Sequence, residues 1–240
     1  MKLKFEQGRV VNAPYLFTLY GVAGGGKSSF ASLAKNPFFI DVENGTKLLG
    51  VKRVTEINSF EEFMSILSLC LNDEKMKQFD TYVIDTLDFL ERLIFEKVCH
   101  DNKKQSISDI GYNRGYDLAV ELWFKVFTVL DQLKAQNKNV ILIAHEQIRK
   151  FESPITGNYD RFTLKLHPKI VNFIFAKCDA VLFMERNFFV AADGKAYSKK
   201  GRKIYTEEQP SVLAKNRYGL PSEIVFNTDI EFKNFFDQLK

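Results

Sequence analysis

The chain has 240 residues, of which 45% are hydrophobic and 27% charged. Those proportions are ordinary for a globular protein and exclude a disordered chain, a collagen and a coiled-coil rod. Lys and Arg number 34 against 30 Asp and Glu, a net charge of +4, which permits nucleic acid as a partner without demanding it.

In chain order, the run LFTLY over 16–20 ends at a glycine and predicts a buried strand, followed by a helix over 26–34. A second strand is expected over 37–42. A helix follows over 59–71, with Ser59 as its N-cap and Glu62 three residues on. TYVID, 81–85, predicts a third strand, and helices follow over 87–99 and 116–135. NVILIA, 139–144, is a fourth strand. A helix over 171–177 and a fifth strand over 180–184 complete an alternation that implies an α/β fold, a mainly parallel twisted sheet flanked by helices on both faces. After Glu185 two β-like pieces, 188–191 and 203–206, flank Asp193-Gly194, a hairpin turn signal. Lys195, Lys199, Lys200, Arg202 and Lys203 crowd this stretch. A last strand over 223–226 precedes a terminal helix from about Asp229. The expected organisation is one domain over 1–240, with a core of about 14–227, a basic β extension over 186–208 and a C-terminal helix over 229–240.

Three cysteines, Cys70, Cys99 and Cys178, fit neither a disulfide framework nor zinc spacing and are expected as structural thiols. No apolar run reaches the roughly 18 residues that span a bilayer. The N-terminal MKLKFEQGRV lacks the apolar stretch of a signal peptide. A cytoplasmic protein with no membrane partner is the expectation.

Residues 21–28 read GVAGGGKS. This matches G-x-x-x-x-G-K-[ST], the phosphate-binding loop, placed between a predicted strand and a predicted helix as the motif requires. Glycines let the backbone curl so that successive N–H groups point at phosphate oxygens, and the helix start adds partial positive charge. The predicted nucleotide-binding set is Gly21, Val22, Ala23, Gly24, Gly25, Gly26, Lys27, Ser28 and Ser29. Lys27 is expected on the β- and γ-phosphates and the Ser28 hydroxyl on Mg²⁺. Asp85 ends an apolar strand expected beside the P-loop strand, where a second magnesium anchor belongs. Its plain alternative is a helix cap, since Asp85 or Thr86 could cap the next helix. A water-activating base is sought at the end of the second strand, where Asp41 and Glu43 are both candidates. At the end of the fourth strand, His145 or Gln147 could sense the γ-phosphate.

These elements together resemble a RecA-type ATPase core. FFIDVENG is similar to the RecA strand that ends in the catalytic glutamate, which implies Glu43 as the base. VILIAHEQIRK resembles the strand whose terminal glutamine senses nucleotide, which implies Gln147. The tract from Leu213 to Gly219, LAKNRYG, is similar to the Lys-Asn-Arg element of RecA relatives and hexameric helicases. It implies Lys215 and Arg217 as fingers that reach a neighbouring subunit's ATP site, worth on the order of 10³ to 10⁵ in rate. The nearest resemblance is to the short single-domain phage ATP-binding proteins, some of which are single-strand annealing or recombinase proteins, and it covers most of 14–227. The expectation departs from full RecA in that these 240 residues leave no room for its separate terminal domains.

Two segments have the composition of a single-strand DNA binder, with cations for phosphates and aromatics for bases. The first, from Ile148 to Lys169, shows no evident structure and holds Arg149, Lys150, Phe151, Tyr159, Arg161, Phe162 and Lys165. The second is the hairpin with Lys199, Lys200, Arg202 and Lys203. A weaker third, 101–116, holds Lys103, Lys104, Tyr112, Arg114 and Tyr116. The resulting expectation is an ATP- and Mg²⁺-dependent ATPase acting on single-stranded DNA in phage recombination, repair or replication, in the host cytoplasm. It would work as a homo-oligomer, ring or filament, with a single-strand-binding or replication protein as a further partner. The rival readings are a nucleotide-gated loader or scaffold and a small-molecule P-loop kinase.

Overall fold

The apolar runs of the sequence become neighbouring strands of one mixed sheet. In the computed structural model, which describes residues 13–153, 157–190 and 196–239, the strands are β1 (Leu16–Gly21), β2 (Pro37–Asp41), β3 (Lys52–Val54), β4 (Thr81–Asp85), β5 (Asn139–Ser153), β6 (Gly157–Leu164), β7 (Ala180–Val190), β8 (Ala196–Tyr205), β9 (Lys215–Asn216) and β10 (Glu223–Phe226). Their order is β10-β8-β7-β1-β5-β4-β2-β3, with β6 beside β5 and β9 beside β7. From β7 to β3 the pairings are parallel. The strand of Asp85 was expected next to the P-loop strand; instead β5 lies between β4 and β1.

Side chains alternate between two cores, as the two-residue period of a strand requires. On β4, Tyr82 and Ile84 face one side and Val83 the other; on β5, Val140, Leu142 and Ala144 oppose Ile141 and Ile143. With both faces covered, these strands read as continuous apolar runs rather than alternating ones. The first core packs α2 (Phe60–Asn72), α3 (Leu87–Asp101), α4 (Arg114–Ala135) and α5 (Pro168–Lys177), centred on buried Trp123. The second packs α1 (Lys27–Ala31) and α6 (Asp229–Asp237).

Local signals account for most boundaries. The Ser59 side chain accepts from the Glu62 amide, and the Glu62 carboxylate reaches back to the Asn58 amide at 2.7 Å, so the box closes one residue earlier than expected. Pro168 opens α5, where its missing N–H costs nothing. α1 is shorter than the helix expected over 26–34: after Ala31 the bonds shorten to Leu33 N–Phe30 O and Ala34 N–Ala31 O turns.

The larger correction concerns 148–169. β5 does not stop at Ala144 but runs on to Ser153 and pairs antiparallel with β6. β7 likewise overruns Met184 to Val190 and pairs antiparallel with β8. Two antiparallel arms therefore leave the carboxyl edge of a parallel sheet. The Asp193-Gly194 turn and Lys195 lie outside the described residues, as does the N-terminal MKLKFEQGRV. Among the described residues no helix is long and apolar enough to cross a membrane, and all three cysteines are free thiols.

The C-terminal helix is tied to the helix after the P-loop by aromatic rings. Phe30 of α1 lies 5.2 Å from Phe235 and 5.0 Å from Phe236, both of α6, and 6.1 Å from Phe226 of β10. Phe235 is fully buried and meets Phe17 edge-on. Truncating it leaves a cavity between α1 and β1, so F235A should cost about 3–5 kcal/mol of unfolding free energy, read from urea denaturation. A loss below about 1 kcal/mol would mean that α6 is not part of the cooperative core.

Candidate functional site

Because the inner strands are parallel, their carboxyl ends share one edge. The register sets Gly21, His145 and Met184 in one row and Asp41, Asp85 and Ile143 in another. Gly21 turns the chain off β1 where any side chain would collide, since a Cβ there would stand 2.0 Å from the Met184 carbonyl oxygen. The loop then curls through left-handed Gly24 (φ 67°) and Gly26 (φ 97°), conformations that favour glycine.

Residues 23–29, Glu43, Asp85 and His145 line a cavity of about 310 Å³. Lys27 is buried and donates to the Gly21 and Val22 carbonyls at 2.8 and 2.9 Å. Burial pulls its ammonium pKa down, and Asp85, Glu146, Glu43 and Asp88 work against that. The Ser28 hydroxyl donates to Asp85 Oδ2 at 2.6 Å. Burial lifts the Asp85 carboxyl to about 6; the Ser28 bond and Lys27 oppose the rise, while Glu43 and Asp41 add to it. The helix-cap alternative for Asp85 falls away, because its carboxylate goes to Ser28 and Thr86 takes the cap position. Two hard oxygen donors in contact fit a small cation such as Mg²⁺, which takes few protein ligands and keeps several waters.

The structure separates Asp41 from Glu43. Asp41 is fully buried and accepts from the Gly45 and Thr46 amides at 3.0 Å, from the Thr46 hydroxyl at 2.5 Å and from Arg53 at 3.2 Å. It shapes the loop after β2 and is not among the residues that line the cavity. Glu43, two residues on, lines the cavity, with Oε2 3.9 Å from His145 Nε2.

His145 is held from behind. Its Nδ1 donates to Asp88 Oδ2 at 2.9 Å and its backbone N–H to Asp88 Oδ1 at 3.1 Å. The Asp88 bond raises the imidazole pKa against burial. Burial alone would raise the Asp88 carboxyl, yet the His145 bonds carry it below the ordinary range. Asp88 also borders a second cleft of about 460 Å³, shared with Glu91, Tyr116, Gln147, Arg149 and Lys165. Gln147 belongs there and not in the first cavity: its amide donates to the Leu164 and Leu166 carbonyls at 2.6 and 3.1 Å. Glu91 is buried, accepts from the His167 amide, and is lifted by burial to about 7. Tyr116, from the weaker 101–116 candidate, stacks on the His167 ring at 3.9 Å.

The expected DNA-facing residues divide. One face of the β5–β6 arm pairs Arg149 with Arg161 and Phe151 with Tyr159. Phe151 is exposed and Lys150 and Lys165 are solvent-facing. Arg161 is occupied, with its guanidinium 4.2 Å over the Phe151 ring and a 2.8 Å pair to Glu208. Phe162 stacks on Phe183 against the core, so its ring is not presented to a base. Lys203 pairs with Glu223 at 2.9 Å. Arg202, expected with the basic hairpin, instead donates from Nε to the Gly25 carbonyl of the P-loop at 2.6 Å. The side chains of Lys199 and Lys200 lie outside the described ones. Lys215 and Arg217 sit at the amino end of β7, the edge away from the P-loop. Lys215 donates to the Phe175 carbonyl at the end of α5, and Arg217 is 3.8 Å from Asp179.

Sequence reasoning missed Asp88, Glu91 and Arg186. The first two had a signal: Asp85, Asp88 and Glu91 fall at spacings of three, which on a helix opening at residue 87 bring Asp88 and Glu91 to one face. Arg186 lies two residues beyond the edge row containing Met184.

A family model for the AAA domain matches residues 13–218. The SPbeta prophage-derived uncharacterized protein YorG of Bacillus subtilis (strain 168) is 27% identical over 132 residues, which are 54% of this chain and 40% of that protein. The match thus spans less than half the length of that relative. Among solved structures, the flagellar accessory protein FlaH from Methanocaldococcus jannaschii overlays with 89% of this chain and 84% of its own, at a TM-score of 0.42 and 10% identity. The matched family span contains the glycine loop, Lys27, the Ser28–Asp85 contact and the parallel sheet that sets them on one edge. The chain belongs to the AAA-domain family of P-loop ATPases.

Proposed function

We propose that this chain binds MgATP in the first cavity, hydrolyses it with Glu43 as the base that orients and deprotonates water, and uses the cycle to act on single-stranded DNA. The observation that carries the reading is the convergence on one cavity of Lys27, the Ser28–Asp85 contact and Glu43. Lys27 supplies the cation for the β- and γ-phosphates, and the glycine-rich loop supplies backbone N–H donors. Ser28 and Asp85 would hold Mg²⁺, which neutralises phosphate charge when bound. Glu43 is free of the bonds that occupy Asp41, and His145, fixed by Asp88, stands beside it.

Support for DNA comes from continuity. His145 borders the ATP cavity, and two residues later the same strand enters the second cleft. Beyond it lies a face with Arg149, Phe151 and Tyr159. Cations that track phosphates and aromatic rings that stack on bases are the elements of sequence-tolerant single-strand binding. In this reading Gln147 and His145 pass the nucleotide state to the β5–β6 arm. Lys215 and Arg217 lie too far from the P-loop edge of their own sheet to serve it; in a homo-oligomer they would serve a neighbour's site. The prophage setting of the relative YorG supports a role in phage recombination, repair or replication, with annealing as one candidate reaction. The whole chain is proposed to work as one domain in the host cytoplasm.

K27A should reduce ATP turnover to background. E43Q should lower it by about 10²–10⁴-fold while nucleotide affinity holds, the signature of a lost general base. Nucleotide titration beside phosphate release checks both, and an E43Q enzyme with wild-type turnover would remove Glu43 from the mechanism. For DNA, F151A and Y159A should each weaken oligo(dT) binding by about 1–3 kcal/mol. R149A should lower the slope of log affinity against log salt by about one. Turnover indifferent to DNA, with these variants binding like wild type, would favour the loader reading.

A further inference from the structure

Two arginines on the β7–β8 arm stand beside the P-loop of their own chain. The register of that antiparallel pair sets Arg186 directly across from Arg202. Like charges facing each other across a ladder are destabilising, so their juxtaposition calls for a reason. Both turn toward the same backbone. Arg202 Nε donates to the Gly25 carbonyl at 2.6 Å, and Arg186 Nη2 lies 3.5 Å from the Gly24 carbonyl. A Cβ on Gly26 would come 3.3 Å from Arg202 Nε, so the guanidinium lies against the loop itself. Each guanidinium carries five N–H donors in a planar fork suited to phosphate oxygens, and the carbonyl contacts use only part of that set.

The backbone on both strands is shaped at these residues. On β7 the register shifts between Arg186 and Phe188, and such bulges re-aim side chains. On β8, Arg202 follows Gly201, which holds φ +103° where a Cβ would stand 2.3 Å from the Phe226 carbonyl oxygen. A glycine inside a strand marks a bend or a close backbone approach. Both irregularities flank the arginines.

We propose that Arg186 and Arg202 form an anion clamp in cis, contributing guanidinium donors to the phosphates of the nucleotide held by residues 21–28. This rests on the nucleotide reading of the P-loop. It differs from any action of Lys215 and Arg217, which lie at the other edge of the sheet, and it reassigns Arg202 from DNA to nucleotide.

The test uses the full chain and four variants, R186A, R202A, R202K and K27A. A fluorescent ATP analogue is titrated with Mg²⁺ present, inorganic tripolyphosphate is used as the competitor, and labelled oligo(dT) is titrated without nucleotide. R186A and R202A are each expected to weaken the ATP analogue and tripolyphosphate about tenfold or more, the worth of a charge-assisted hydrogen bond. R202K should recover only part, since lysine lacks the planar fork. Oligo(dT) binding should hold. If R202A fails to fold, as its melting curve would report, R186A and R202K carry the test. Nucleotide binding at wild-type strength in R186A and R202K, with K27A still deficient, would overturn the clamp and leave the P-loop reading standing. Loss of oligo(dT) instead of nucleotide would return Arg202 to DNA and overturn the clamp. Wild-type nucleotide binding in K27A would overturn both.

Discussion

The parallel register of the inner strands is the constraint on which the rest depends. Because β7, β1, β5, β4 and β2 all point the same way, their parallel segments all end toward one edge. Residues remote in sequence then meet: Ser28 touches Asp85 across 57 positions, and Asp88 holds His145 across the same separation. Gly21 makes the arrangement possible at its tightest point, since the β7 carbonyl of Met184 occupies the space of its missing side chain. Any larger residue there would push β1 and β7 apart and move the loop that begins at Val22.

This edge carries an electrostatic load that the fold offsets locally. Lys27, Asp41, Asp85 and Glu91 are all largely withdrawn from water. An isolated buried charge is costly, and each of these is met by hydrogen bonds or an opposite charge nearby. Asp41 accepts from two backbone amides, a hydroxyl and a guanidinium, which makes it a structural anion. Lys27 rests on two carbonyls in a field of carboxylates. Asp85 accepts from the Ser28 hydroxyl, and burial, with Glu43 and Asp41 adding to it, lifts its pKa to about 6. The carboxylate beside Ser28 lines the cavity and stands next to a second hard oxygen donor, an arrangement that favours a cation there.

The fold and the nucleotide cavity were legible in the sequence because both rest on short-range signals. Strand alternation with helices, the GVAGGGKS spacing and the Ser59–Glu62 box all act within a few residues. β10 was read to its ends for the same reason. What escaped was set by tertiary pairing. The β5–β6 arm was read as unstructured because polar and apolar residues along 148–164 have no long run, yet cross-strand pairs such as Phe151 with Tyr159 hold it. Strand adjacency is likewise not a local property, and so β5 came to lie between β1 and β4. That Asp41 is tied into the loop after β2 depends on the positions of Thr46 and Arg53, which the residues alone do not give. The attachment of Arg202 to Gly25 across 177 positions had no local trace at all.

The two arms show why charge counting alone does not tell their arginines apart. Both leave the same edge, and both carry cations opposite cations: Arg149 across from Arg161, and Arg186 across from Arg202. On the β5 arm one of the pair, Arg161, is neutralised by Glu208 and spread over an aromatic ring, which leaves Arg149 toward the second cleft. On the β7 arm both guanidinium groups lie against the glycine loop. Composition treats these four residues alike. Their surroundings divide them, because a guanidinium against the carbonyls of the glycine loop meets a different partner from one at the mouth of an aromatic cleft.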